Sequence, residues 1–332
     1  MLKFLTCTNG FPFIIFNFCK MKPKILLFVI LLTGVYQSIS GQVTETEKTL
    51  RTQSADTIKG WKKGGVIAVS LAQTSLTNWA SGGQSSLSVN GISSAFANYK
   101  KGTIERTNSL DIGYGLLKEG ANSRARKTDD KIDFLSKFGK RAFKNFYYAA
   151  LLNLKTQFSP GYNYPNDSVK ISAFFAPAYL LGALGLDFKP DAYFSAFLAP
   201  LTAKLTIVTD KKLSDSGAFG VTPGESVLSE FGGYLRIIYT KNDFKNEFLK
   251  NIAFTSKLDL FSNYLKNPQN IVVNWENLII MKVNKYVTVN FNTQLIYDDK
   301  IKIKPSDSGP DAIPGPRIQF KEILGVGFSY KF

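Results

Sequence analysis

Leu324-Gly325-Val326-Gly327-Phe328-Ser329-Tyr330-Lys331-Phe332 is the stretch that decides the fold. Leu324, Val326, Phe328, Tyr330 and Phe332 fall on one face, and Gly325, Gly327, Ser329 and Lys331 on the other. A period of two is that of a β-strand. Large apolar side chains on one face and small or polar ones on the other suit a strand between lipid and a wet lumen. In an open sheet so apolar a strand would be an aggregation-prone edge. In a closed barrel it pairs with the first strand, and the edge disappears.

The same pattern recurs upstream. Leu110, Ile112, Tyr114 and Leu116 oppose Ser109, Asp111, Gly113 and Gly115; Val287, Val289, Phe291, Leu295 and Tyr297 oppose Thr288, Asn290, Asn292 and Gln294. Twelve segments qualify as strands, near 62–73, 84–99, 103–118, 130–141, 145–158, 173–188, 191–207, 229–241, 249–264, 270–283, 286–298 and 317–332. The sixth and seventh are apolar on both faces, which leaves their register open, and the eighth reads as short. Odd-numbered connections are mostly long and even-numbered ones mostly tight, as at Lys100-Lys101-Gly102 and Lys189-Pro190. Long loops at one end and short turns at the other are the asymmetry of outer-membrane barrels. The predicted fold is therefore all-β: a transmembrane, antiparallel, up-and-down β-barrel of about twelve strands over 60–332. A soluble β-sandwich is disfavoured by the strand lengths and by aromatics near strand ends. Trp61, Trp79, Tyr264, Tyr297 and Phe332 are the candidate interface aromatics.

The amino-terminal part reads as an export signal. Met21-Lys22-Pro23-Lys24 is basic, Ile25 to Leu32 is an apolar run, and Ser38, Ser40 and Gly41 are small. Residues 1–20 read as a mis-called upstream start, 21–41 as a cleaved signal and 42–59 as a polar periplasmic arm. With an even strand number, both termini are expected in the periplasm of a Gram-negative cell. Both cysteines, Cys7 and Cys19, precede the cleavage point, so the processed chain would hold neither a disulfide nor a thiol nucleophile. The net charge of +16 falls to +12 without residues 1–41, which hold four lysines and no acid. The basic residues form no compact block. They point to membrane lipid and lipopolysaccharide as partners rather than nucleic acid.

The chain contains no histidine. A Ser–His–acid triad, an Asp–His dyad and a histidine metal site are all excluded. No motif replaces them, so neither an enzyme nor a cofactor site is expected. A histidine-independent lipid or glycan enzyme is the remotest reading. Candidate lumen charges on the inward faces are Asp111, Asp133, Lys137, Arg141, Lys155, Lys257, Asp259, Glu276, Lys282 and Lys321. They are expected mainly to pair and fill the barrel; their basic excess would favour anions if a path exists. The acidic pairs Asp129-Asp130 and Asp298-Asp299 could bind Ca²⁺ or bridge lipopolysaccharide, although solvated loop ends account for them as well. Gly217-Ala218-Phe219-Gly220 is a weak phosphate-loop candidate.

Three stretches carry a resemblance to a known family: "GWKKGGVIAVSLAQTSLTNWASGGQSSLSVNG", "KLDLFSNYLKNPQNIVVNWENLIIMKVNKYVTVNFNTQLIYDD" and "QFKEILGVGFSYKF". Together they resemble a domain-of-unknown-function family of outer-membrane barrels from bacteroidete-type bacteria. The resemblance implies location and fold, and transfers no functional residue.

The leading expectation is a structural or accessory subunit of an outer-membrane assembly for transport, secretion or protein insertion, with other outer-membrane proteins as partners. The alternative is a narrow channel or transporter for small or apolar solutes. The closing strand Leu324, Val326, Phe328, Tyr330 and Phe332 is expected to pair near 62–73. Small residues (Ala68, Ser70 and Ala72 facing Gly325, Gly327 and Ser329) would thin the wall there and offer a docking point for a ligand or the arm. Phe332 is the expected signal to the barrel insertion machinery.

Overall fold

The computed structural model describes residues 60–76, 84–120, 123–163, 167–284, 286–303 and 313–331. Trp79, Phe332, both cysteines, the export signal and the arm lie outside them. Twelve long strands form one closed antiparallel barrel in which each strand pairs with its chain neighbours and the last returns to the first. They are β1 (Gly60–Thr74), β2 (Ser86–Lys101), β3 (Ile104–Glu119), β4 (Arg126–Phe143), β5 (Phe146–Thr156) and β6 (Ala178–Phe188), followed by β7 (Phe194–Ile207), β8 (Val227–Lys241), β9 (Ile252–Asn263), β10 (Ile271–Lys282), β11 (Val287–Tyr297) and β12 (Gln319–Lys331). Strand β8, which reads as short in the sequence, is among the longest.

Alternation sorts the side chains. Leu71, Leu184, Leu201, Leu324 and Phe328 stand outward and exposed around the ring. A closed wall with an apolar outer face is built to span a membrane, because backbone groups are satisfied between strands along nearly the whole ring. Polar groups on that wall satisfy one another: Ser136 Oγ donates to Asn108 Oδ1 (2.9 Å) and Trp275 Nε1 to Ser256 Oγ (2.9 Å). Trp61 lies against Tyr99 at the short-turn end, with ring centroids 5.2 Å apart, while Tyr264 contacts Phe231 at the long-loop end.

Strands β6 and β7 are apolar on both faces because their inner faces line a core. Leu135, Ala149, Leu151, Ala183, Phe197, Ala199, Tyr234 and Phe261 form one buried cluster inside the barrel. Strand β7 also carries a bulge. Its ladders with β6 and β8 shift register between Leu184 and Leu186 and between Gly232 and Tyr234. The extra residues lie around Pro200, which has no N–H to give a ladder. Gly185 lies beside the bulge, where a Cβ would collide with the carbonyl oxygen of Leu198.

At the long-loop end, the segments after β5 and β7 build a cap with its own core of Ala176, Val208, Leu213 and Val221. A short helix, α1 (Lys211–Asp215), starts at Asp210, whose side chain accepts from Leu213 N. Residues 161–162 pair with 170–172 in a loop hairpin, so the sixth strand begins at Ala178 rather than near 173.

Candidate functional site

The inward faces bring charged residues from opposite walls into contact. Strands β4 and β10 are diametrically opposed in the ring, yet Lys131 Nζ lies 2.7 Å from Glu276 Oε1. Lys257 Nζ on β9 lies 3.4 Å from Asp111 Oδ2 on β3, also opposite. Lys321 on β12 reaches Asp129 on β4 at 2.9 Å, and Lys155 on β5 reaches Asp259 on β9 at 3.2 Å. The barrel is thus bridged across its lumen by ion pairs. Asp259 also accepts from Tyr234 Oη (2.6 Å) and stands 3.6 Å from Arg236 Nε, and Asp133 accepts from Asn153 Nδ2 (2.6 Å). Buried charges persist where opposite charges and donors surround them in this way.

A second cluster sits at the short-turn end. Asp187, fully buried, accepts from Lys137 Nζ (2.5 Å) and Ser195 Oγ (2.7 Å). Lys189 lies 3.4 Å from the same carboxylate and also pairs with Glu105. Arg141 lies at the rim, its guanidinium against the Tyr147 ring, and Lys282 closes the inner end of β10. A third cluster lies near the loops: Glu230 meets Lys300 at 2.6 Å and Lys204 at 3.3 Å.

Adjacent acids do not gather as metal sites. Alternation sends Asp129 inward to Lys321, while Asp130 accepts from the backbone N–H groups of Phe158 and Ser159. Asp298 faces Lys204 and Lys300, whereas Asp299 accepts from Asn270 Nδ2. Among the described residues no three histidine, cysteine or acidic side chains converge. Residues 217–220 form a tight turn in the cap, where Phe219, held at φ 59°, lines the space beneath.

Between these clusters the lumen is hollow. An outer chamber of about 470 Å³ lies under the cap, lined by apolar Phe219, Phe261, Val272 and Ile296 together with Lys131 and Glu276. A middle chamber of about 130 Å³ shares Lys131, Glu276, Gln294 and Lys321 with it and reaches Ala68, Ser70, Ile323 and Gly325 on β1 and β12. An inner chamber of about 130 Å³ shares Ser94, Asp111, Thr255 and Lys257 with the middle one and ends at Lys189. The three chambers follow one another from the loop end to the turn end. The Lys131–Glu276 and Asp111–Lys257 pairs stand where they meet.

All ten charges expected on inward faces lie on barrel strands, and Asp111, Lys257, Glu276 and Lys321 line the middle chamber. The basic excess does not extend to that chamber, whose wall holds three acids and three lysines. Lys131 was missed although it shares the parity of Asp133. Lys204, Glu230 and Arg236 were missed because the registers of the strands carrying them were unassigned.

Residues 71–162 match the model of a family described as protein of unknown function (DUF3078). The chain is also similar to the COG4313 outer membrane channel from Pseudomonas putida F1, at 11% identity and a TM-score of 0.38 over 84% of this chain and 99% of that one. No curated protein matches.

Proposed function

We propose that this barrel, set in the outer membrane with both termini in the periplasm, is a narrow, gated path for small solutes and not an enzyme. One observation carries the reading: three lumen chambers stand in series from the loop end to the turn end, parted by two cross-lumen ion pairs. A barrel serving only as a scaffold has no use for such a series, so the geometry favours the channel over the accessory subunit. The inner gate is partly exposed. Lys257 and Asp111 are 26% and 25% exposed, so water is at hand to solvate each partner when the pair parts. The absence of histidine supports a non-enzymatic role.

Planar-bilayer recording of the purified full chain tests this. The wild type is expected to show a small conductance. Asp111→Asn with Lys257→Gln, which removes the inner gate while keeping side-chain volume, should raise it several-fold. Electrical silence in both proteins, with the barrel shown to be folded by heat-modifiable migration, would sink the channel reading.

A further inference from the structure

The barrel closes incompletely. The β1–β12 ladder holds five residue pairs, from Val66↔Lys331 to Ser70↔Gly327. Every other ladder of the barrel holds ten or more. Yet β1 runs on to Thr74, paired with β2 throughout, and β12 begins at Gln319, paired with β11. Among the described residues, 71–74 and 323–326 therefore face each other along the seam without a ladder. At about 3.3 Å per residue the slit is roughly 13 Å long.

Two features make the slit more than a frayed edge. First, it lies at the long-loop half of the wall, flanked on its outer side by exposed Leu71, Leu324 and Val326. Unpaired backbone facing hydrocarbon is costly, and barrels avoid it unless the groups meet water or a polar partner. Second, the middle chamber opens onto the same place. Ser70, Ile323 and Gly325 line both chamber and seam, and Ile92 on the neighbouring β2 lines the same chamber and is 38% exposed. Ile323 apart, the inward positions there are small, and a Cβ on Gly325 would press on the Ser70 hydroxyl.

We propose that the slit is a lateral portal through which an uncharged, apolar or amphipathic small molecule passes between the middle chamber and the outer leaflet. The proposal rests on the channel reading for the route from the outer chamber inward. The ligand class follows from the walls: apolar side chains outside, backbone polar edges in the gap, and a chamber with balanced charges that favours neither ion sign. The outer chamber lies within the usual range for a site holding a small organic molecule.

The test uses the full chain in a Cys7→Ser, Cys19→Ser background, with Leu71→Cys and Val326→Cys added; continuing the register places these two opposite each other. The readouts are uptake of N-phenyl-1-naphthylamine by intact Gram-negative cells and KCl conductance of the purified protein. The portal predicts uptake above the empty-vector level, lost on oxidation and restored on reduction, with conductance retained. Uptake at the vector level, or uptake unchanged once the disulfide has formed, overturns the portal. Cross-link-sensitive uptake without any conductance keeps the portal and removes the axial path. If the cysteine pair does not fold or join, hydrogen exchange on the wild type in lipid nanodiscs decides. Amides at 71–74 and 323–326 should exchange faster than those at 66–70 and 327–330, and equal protection overturns the portal.

Discussion

Asp187 shows how much one side chain holds in this lumen. It gathers Lys137, Lys189 and Ser195 at a fully buried point. Replacing it with leucine leaves Lys137 without its carboxylate and Lys189 with Glu105 alone, and breaking a buried pair costs about 3–5 kcal/mol. Asp187→Leu should therefore lower the urea midpoint of barrel unfolding in detergent markedly, while Lys282→Gln at the rim should barely move it. Asp210 is a residue of the opposite kind, a loop carboxylate on the cap. The hydrogen bond from Lys170, at 2.7 Å, holds its pKa below the usual aspartate value and raises that of Lys170. A depressed carboxylate stabilises the folded cap above its unfolded pKa, and that contribution fades as pH falls through the lowered value. Limited proteolysis of the cap should therefore stay slow at neutral pH and quicken in acid below the ordinary aspartate range. Asp210→Asn should flatten the profile. Neither role was legible beforehand: Asp187 ends a strand whose register was open, and Lys170 is 40 residues from its partner.

Single strands carried most of what could be read in advance. Where a wall separates lipid from wet lumen, as in β3 and β11, period-two contrast placed each side chain on its face. The contrast vanished in β6 and β7 because Ala183, Phe197 and Ala199 enter an apolar core from the inner side. A local pattern has no means of distinguishing that core from lipid. Pro200 is a legible mark in hindsight, since proline inside a central strand calls for a bulge. The bulge in turn demands Gly185 next door, where any Cβ would strike the Leu198 carbonyl. Gly185→Ala should cost on the order of 1–3 kcal/mol, read as a lower thermal midpoint for loss of heat-modifiable migration. Gly60→Ala, where a Cβ meets no atom within 4 Å, tests the backbone cost of φ 102° instead.

At the scale of the whole molecule, strand number and the alternation of long loops with tight turns followed from spacing alone, whereas the lumen did not. Its contents depend on which strands face each other across the ring, as when Lys131 meets Glu276, 145 residues away. Charge was the casualty of reading strands singly. The inward lysines promised an anion path, but the middle chamber is balanced and only the inner one is rich in base, with Lys137, Lys189, Arg236 and Lys257. A KCl gradient should accordingly shift the reversal potential only slightly toward the anion side, and Lys189→Gln should reduce that shift. The buried cluster of Phe197, Tyr234 and Phe261 has a mechanical consequence as well. It ties β4 through β9 into a stiff keel, while the opposite wall is held to that keel across the lumen by ion pairs and carries the shortest ladder of the ring. Lateral pressure from the surrounding bilayer should therefore be taken up mainly on that side, where the short seam is the first part of the wall to yield.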